Sequence, residues 1–274
     1  MSLDSAILAT AILACAAYLL AVRAEWLVLR QGSLSQPAIS INRNVTLLAC
    51  CALLFHLGYT LLDASRNSGL SASFFDVLSM TALVIVSVSL ATAFRFPVGS
   101  LLPPIFVIAA SSLALAAGSH ERAPIQAESG GMLAHIICAI VGYSLLSIAA
   151  LQAIALQLSE RALKQHNTGG ALRQMPPLET METLLFQFIF AGWITLGLSI
   201  GFGAIYIEDL LGQYLAHKTV FSLASWALFG LLLFGRWRWG WRGATAVKWT
   251  LTAFICLLLG YFGSKFVLQI VLGR

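Results

Sequence analysis

Eight apolar runs divide the chain: Leu3–Val22, Val45–Leu62, Phe74–Phe94, Val98–Ala117, Met132–Leu158, Leu184–Ile207, Thr219–Gly235 and Ala246–Val271. A helix rises about 1.5 Å per residue, and the hydrocarbon layer is about 30 Å thick, so each run is long enough to cross. Polar residues cluster between the runs and are scarce within them. This pattern predicts an all-α fold, a polytopic bundle of about eight transmembrane helices. It forms one integral membrane domain over 1–274, with four N-terminal helices in 1–117, four C-terminal ones in 132–274 and no soluble domain. The third and fourth runs are separated only by Arg95-Phe96-Pro97. That segment reads as a tight hairpin, because proline ends a helix and arginine stays at the interface.

The charges in the links orient the bundle. Odd-numbered links hold 11 basic residues (Arg23, Arg30, Arg43, Arg95, Arg161, Lys164, Arg173, Arg236, Arg238, Arg242 and Lys248). Even links and the termini hold 5 (Arg66, Arg122, Lys218, Lys265 and Arg274). The excess of Lys and Arg marks the cytoplasmic side, so both termini are expected outside. The first run is preceded by Asp4 and followed by Arg23 and Arg30, with no small-residue cleavage site. This order reads as a first helix and not as a cleaved signal peptide. The longest link, roughly Ser159 to Thr183, contains Gly169-Gly170 and Pro176-Pro177 and is too short to bury a core.

Composition agrees with a lipid-facing chain: 59% hydrophobic, 10% charged, mean hydropathy +0.88. The net charge of +5 does not point to nucleic acid, since the basic residues lie between apolar runs and not on one face. The cysteines Cys15, Cys50, Cys51, Cys138 and Cys256 all fall within apolar runs and form no Cys-x-x-Cys. They read as small packing residues. The stretch Gly235-Arg236-Trp237-Arg238-Trp239-Gly240-Trp241-Arg242 sits in a link on the cytoplasmic side. Tryptophan and arginine are standard occupants of that interfacial layer, so an anchoring role is expected. No phosphate loop, nucleophile triad or carboxylate pair occurs, which argues against an enzyme.

The candidate chemistry lies in histidines. His166 falls in a cytoplasmic link; His120, His135, His217 and His56 belong to the outer side. An ionisable residue inside a span is costly and usually faces an interior or a site. Histidine is also a common ligand of haem iron. His135, one turn into the fifth helix, is the leading candidate for an axial ligand, with His56 or His217 as its partner. Interhelical hydrogen bonding is the alternative for His56 and His135, and a solvated helix start for His217. Gly197-x-x-x-Gly201 in the sixth helix reads as a close-packing surface, with room for a flat ligand as the alternative.

Several short motifs carry a family resemblance: Gly130-Gly131-Met132-Leu133-Ala134-His135 leading into Val141-Gly142-Tyr143, and Pro176-Pro177-Leu178-Glu179 before the sixth helix. Gly197-x-x-x-Gly201, His217-Lys218-Thr219 with Ser225-Trp226, and Tyr261-Phe262-Gly263-Ser264-Lys265 continue the series. From Met132 onward the chain resembles the cytochrome c assembly family of CcsA, CcmC and HemX proteins, and within it looks closest to the YpjD/HemX-like branch. The resemblance implies a helical bundle in the bacterial inner membrane that holds haem toward its outer face and presents it for cytochrome c maturation. It implies His135 as an external haem ligand. Haem-presenting members carry a Trp-rich loop ending in Trp-Asp-Pro, whereas residues 208–218 here contain no tryptophan, with His217 about where the proline would be. Two further family histidines correspond to Phe234 and Leu272.

Three functions follow from these observations. The first is a non-enzymatic haem-handling or cytochrome c assembly protein, whose partners are the lipid bilayer, haem and other cytochrome c assembly or tetrapyrrole-pathway proteins. The second, favoured by the missing Trp-Asp-Pro loop, is a non-transferring regulator or scaffold of tetrapyrrole metabolism. The third, a small-solute or ion transporter, calls for broken helices and charges at mid-membrane, and the spans contain almost none.

Overall fold

The computed structural model describes residues 3–31, 42–67, 69–71, 73–96, 99–119, 130–165, 176–206 and 216–263. They form eight α-helices: α1 (Leu3–Gln31), α2 (Arg43–Arg66), α3 (Phe74–Ala93), α4 (Leu102–Gly118), α5 (Gly130–Lys164), α6 (Leu178–Tyr206), α7 (Ala216–Trp239) and α8 (Gly243–Leu258). Seven of them are long and apolar enough to cross a membrane. The eighth, α4, has 17 residues, fewer than the run Val98–Ala117 promised. Pro103 and Pro104 open it and cannot donate the backbone bonds that would carry an α-helix further back. The chain enters instead through a 3-10 turn at Gly99–Leu101, which brings the rod to about 30 Å.

The chain divides into two compact units, one containing α1–α4 and the other α5–α8. In the first unit, α1 packs on α2 and α4, and α3 packs on α4. Small residues line the α1 contact, Ala11, Ala14, Ala17 and Ala21 being buried, and these let the helices approach closely. Asn42 caps α2 by accepting from the Asn44 amide, and Ser73 caps α3 by accepting from the Asp76 amide while its hydroxyl donates to the Asp76 carboxylate at 2.6 Å. After α3, the amides of Arg95 and Phe96 both bond to the Thr92 carbonyl, which starts the expected sharp reversal. Pro97 lies outside the described residues. Glu25, two residues after Arg23, is buried on α1, with Oε1 near the Gly99 backbone at the opening of α4. A carboxylate there faces the positive end of the α4 dipole.

In the second unit, glycines set the spacing between helices. A Cβ on Gly142 of α5 would approach the backbone of Leu196 on α6 to 3.1 Å. The α6–α7 contact is a matched tryptophan pair: Trp193 Nε1 donates to the Trp226 carbonyl at 3.1 Å, and Trp226 Nε1 returns the bond to the Trp193 carbonyl at 3.2 Å. Their rings stack at 5.1 Å. Gly197 is required there, because Trp226 Nε1 would lie 2.8 Å from a Cβ at that position. Gly201, the second glycine of the motif, meets no described atom within 4 Å. The close packing is therefore made by Gly197 and a tryptophan, and not by both glycines against a second helix backbone.

The tryptophan-rich stretch is mostly helix and not link. α7 continues through Trp239, and only Gly240–Arg242 turn. Gly240 has φ 68°, and its amide bonds to the Arg236 carbonyl, closing α7 in the left-handed manner that glycine permits. Glu182 of α6 accepts from the Gly243 amide at 2.6 Å, and its other oxygen lies 3.6 Å from the Arg236 guanidinium. Trp241 stacks between Trp239 and Trp249. Trp237 remains 80% exposed, as an anchor facing lipid would be.

Candidate functional site

The two intramembrane histidines have different surroundings. His56 of α2 is fully buried within the first unit. Its Nε2 lies 2.9 Å from Ser79 Oγ on α3, and its Nδ1 lies 3.2 Å from the Tyr18 hydroxyl on α1. Three helices thus meet at this imidazole, and Phe106 of α4 stacks on its tyrosine partner Tyr18. Both ring nitrogens are engaged, and an iron would have to displace one of these hydroxyls. The geometry favours the interhelical role. A small cavity lies beside this track, lined among others by Tyr59, Asp63, Asp76 and Ser79, with room for about one water.

His135 of α5 is only half-buried, and its bonds use one side of the ring. Its Nδ1 lies 2.7 Å from the Ser199 carbonyl on α6. Because a carbonyl can only accept, Nδ1 carries the proton, and Nε2 is left with a lone pair. Ser199 Oγ donates in return to the His135 carbonyl at 3.1 Å. No described residue bonds to Nε2. An imidazole oriented through Nδ1–H by a carbonyl, with Nε2 open, is the standard arrangement of a metal-binding histidine.

One turn before His135, the ring of Tyr206, at the end of α6, lies against the backbone of Gly131, where any Cβ would collide with it. Gly131, Tyr206, His135 and Ser199 thus form one α5–α6 seam at the N-terminal end of α5. Nothing in local sequence signals the pairing of Gly131 with Tyr206. His217 lies in the first turn of α7, and the placement of its side chain is outside the description, as are His120 and His166 entirely. Phe234 is 47% exposed and packs on Trp237 and Trp239 at the opposite end of α7. Leu272 and the residues 207–215 lie outside the described residues.

A family model described as cytochrome C assembly protein matches residues 39–272. The chain belongs to the cytochrome c assembly family. Membership extends well before Met132, where the motifs carrying the resemblance begin, and takes in α2, α3 and α4. Among relatives in this family, inner membrane protein YpjD of Escherichia coli K12 is 32% identical over 206 residues, covering 75% of this chain and 78% of that protein. Protein HemX of Brevibacillus brevis is 29% identical over 195 residues, 69% of this chain and 72% of that protein. Cytochrome c biogenesis protein CcsA of Gloeobacter violaceus is 28% identical over 103 residues, 37% of this chain and 30% of that protein. No solved structure matches the chain. With its candidate spans and its YpjD relatives, this member of the cytochrome c assembly family is a multi-pass protein of the bacterial inner membrane.

Proposed function

We propose that this family member is a non-enzymatic haem-handling protein that binds a tetrapyrrole iron through His135 at the outer end of its second unit. The observation that carries this reading is the bond from His135 Nδ1–H to the Ser199 carbonyl, which orients the ring and leaves Nε2 open. Among the described residues no three histidines, cysteines or carboxylates come together to cage a bare metal ion. A site offering one half-buried imidazole suits an iron that arrives with four ring nitrogens of its own. Bound haem would supply an axial coordination position. The chain's part is to orient His135, to exclude lipid with the α5–α6 seam, and to leave one edge of the ring toward water. His217, on α7 of the same unit, is the candidate second ligand, ahead of His56 with its two bonded nitrogens. Further partners would be other cytochrome c assembly or tetrapyrrole-pathway proteins.

A second reading, a HemX-like regulator or scaffold that does not hand haem on, is favoured by the absence of any tryptophan in residues 208–218. The two readings share the site and differ in transfer. The deciding experiment is the absorption spectrum and haem content of the protein purified from membranes, compared with His135→Ala. A Soret band that falls or shifts in the variant supports the ligand. A parent without haem, even after incubation with it, or a variant that carries it unchanged removes the first reading.

A further inference from the structure

The end of the second unit at which α7 finishes and α8 begins carries a fixed ladder of aromatic rings with cations around it. Trp241 rests on Gly235, where any Cβ would collide with its ring. It is stacked between Trp239 at 5.5 Å and Trp249 at 5.4 Å between ring centres. The turn beneath the ladder is held at several points. The Gly240 and Trp241 amides bond back to the Arg236 and Gly235 carbonyls, and the Arg236 guanidinium donates to the Trp241 carbonyl at 3.3 Å. Glu182 fixes the opening of α8 through the Gly243 amide. Side chains that project from this turn therefore stand on a preformed platform, which lowers the entropy that a ligand must overcome.

The charges on that platform are unbalanced. Residues 235–251 contain four basic side chains and no acidic one. Arg236 is engaged by Glu182 and the Phe186 ring. Arg238, Arg242 and Lys248 are exposed, and among the described residues none of them has a carboxylate partner. The sequence leaves no further acid to supply one. The acidic residues outside the described set are Glu121, Glu128, Glu208 and Asp209, all in the links before α5 and before α7, which join the opposite ends of these helices. Of the acids at this end of the unit, Glu182 is taken by Arg236 and the Gly243 amide, and Glu160 Oε1 lies 3.0 Å from where a Cβ on Gly243 would be. Glu179 is exposed in the first turn of α6.

Trp237 and Trp239 are exposed on either side of Arg238, at the end of a span, where headgroups and acyl chains meet. An occupant of this surface needs a negative group for the arginines and an apolar part for the indoles. A phospholipid of net negative charge supplies both in one molecule, whereas a zwitterionic lipid brings its own cation to compete for the phosphate. Guanidinium groups hold a phosphate through paired N–H donors. We propose that the α7–α8 turn is a binding site for an anionic phospholipid, with its phosphate on Arg238 and Arg242 and its glycerol and upper acyl chains against Trp237 and Trp239. Lys248 shares a face of α8 with the exposed Ala244 and Thr245 and adds a third positive charge. The site is independent of the haem reading. It differs from a general interfacial anchor in selecting the charge of the headgroup.

Full-length protein in neutral detergent is titrated with phosphatidylglycerol and, separately, with phosphatidylcholine of the same acyl chains, and bound lipid is counted by native mass spectrometry. Phosphatidylglycerol is expected to bind about tenfold more tightly or better, since each cation near an anionic lipid contributes about a fivefold factor. Arg238→Gln with Arg242→Gln should weaken phosphatidylglycerol binding about 25-fold and leave phosphatidylcholine binding unchanged. Arg238→Lys with Arg242→Lys should keep most of the preference. Equal affinity of the parent for the two lipids would overturn the site. So would a glutamine pair that keeps the full preference, which would move the selectivity to cations elsewhere, or one that weakens both lipids equally, which would leave an unselective anchor. Both arginines are exposed, so the glutamine pair should unfold at the parent's thermal midpoint. If it does not, Lys248→Gln on the regular part of α8 decides: about a fivefold loss for phosphatidylglycerol alone supports the site, and no loss overturns it.

Discussion

His135 and Ser199, 64 residues apart, exchange two hydrogen bonds: Nδ1–H to the Ser199 carbonyl at 2.7 Å, and Ser199 Oγ–H to the His135 carbonyl at 3.1 Å. The first bond is made by backbone and the second by a side chain, so mutation can separate them. Ser199→Ala keeps the bond that sets the tautomer and loses the one that ties the helices. It should cost about 0.5–1.5 kcal/mol of stability and weaken haem binding only a few-fold, with the absorption maxima in place. Thermal unfolding monitored by circular dichroism, alongside the spectrum, checks it. Shifted maxima would mean that the hydroxyl itself acts on the ligand.

Gly131→Ala should destabilise the α5–α6 seam by about 1–3 kcal/mol, because the new methyl group and the Tyr206 ring compete for the same space. Tyr206→Ala should cost less alone and should relieve most of the Gly131→Ala defect when the two are combined. A double-mutant cycle measures this coupling. Strictly additive effects would show that Tyr206 does not rest on Gly131.

His56 is expected to matter for stability and not for the spectrum. His56→Ala leaves a cavity and strips partners from Tyr18 and Ser79 in the first unit, at a cost of about 2–4 kcal/mol. The thermal midpoint should fall, and the haem spectrum of the surviving folded protein should match the parent. A changed low-spin signature would put His56 on the iron.

At the α7–α8 turn the tryptophans should divide. Trp237→Leu with Trp239→Leu removes exposed anchors, and should lower membrane yield without changing haem binding. Gly240→Val forces a branched residue into φ 68° and should cost more stability than either. Thermal midpoints of the purified variants rank them, and equal losses would show that the turn geometry is not limiting.

Both termini and the even-numbered links are expected outside. Alkaline phosphatase fused after Ser68 or Gln126 should be active, and after Asn167 inactive, with a green fluorescent reporter giving the reverse. Two reversed sites would invert the bundle.

The spans themselves were legible in the sequence, because hydrocarbon demands long apolar stretches with every backbone group bonded within the helix, and no distant residue can waive that demand. The tight α3–α4 reversal was legible for the same local reason. His135 and His56 could not be told apart that way, since each is a histidine in an apolar helix. Their difference comes from other helices: Tyr18 and Ser79 occupy both nitrogens of His56, whereas Ser199 occupies one nitrogen of His135. Glu25 follows the basic Arg23 closely in the sequence, yet only the packing of α1 on α4 buries it against the start of α4. Gly131 gave no local sign that a tyrosine 75 positions later would rest on it. Local composition decided where the chain enters the membrane. Only the packing of helices distant in sequence decided which polar groups are satisfied there and which remain open to a ligand.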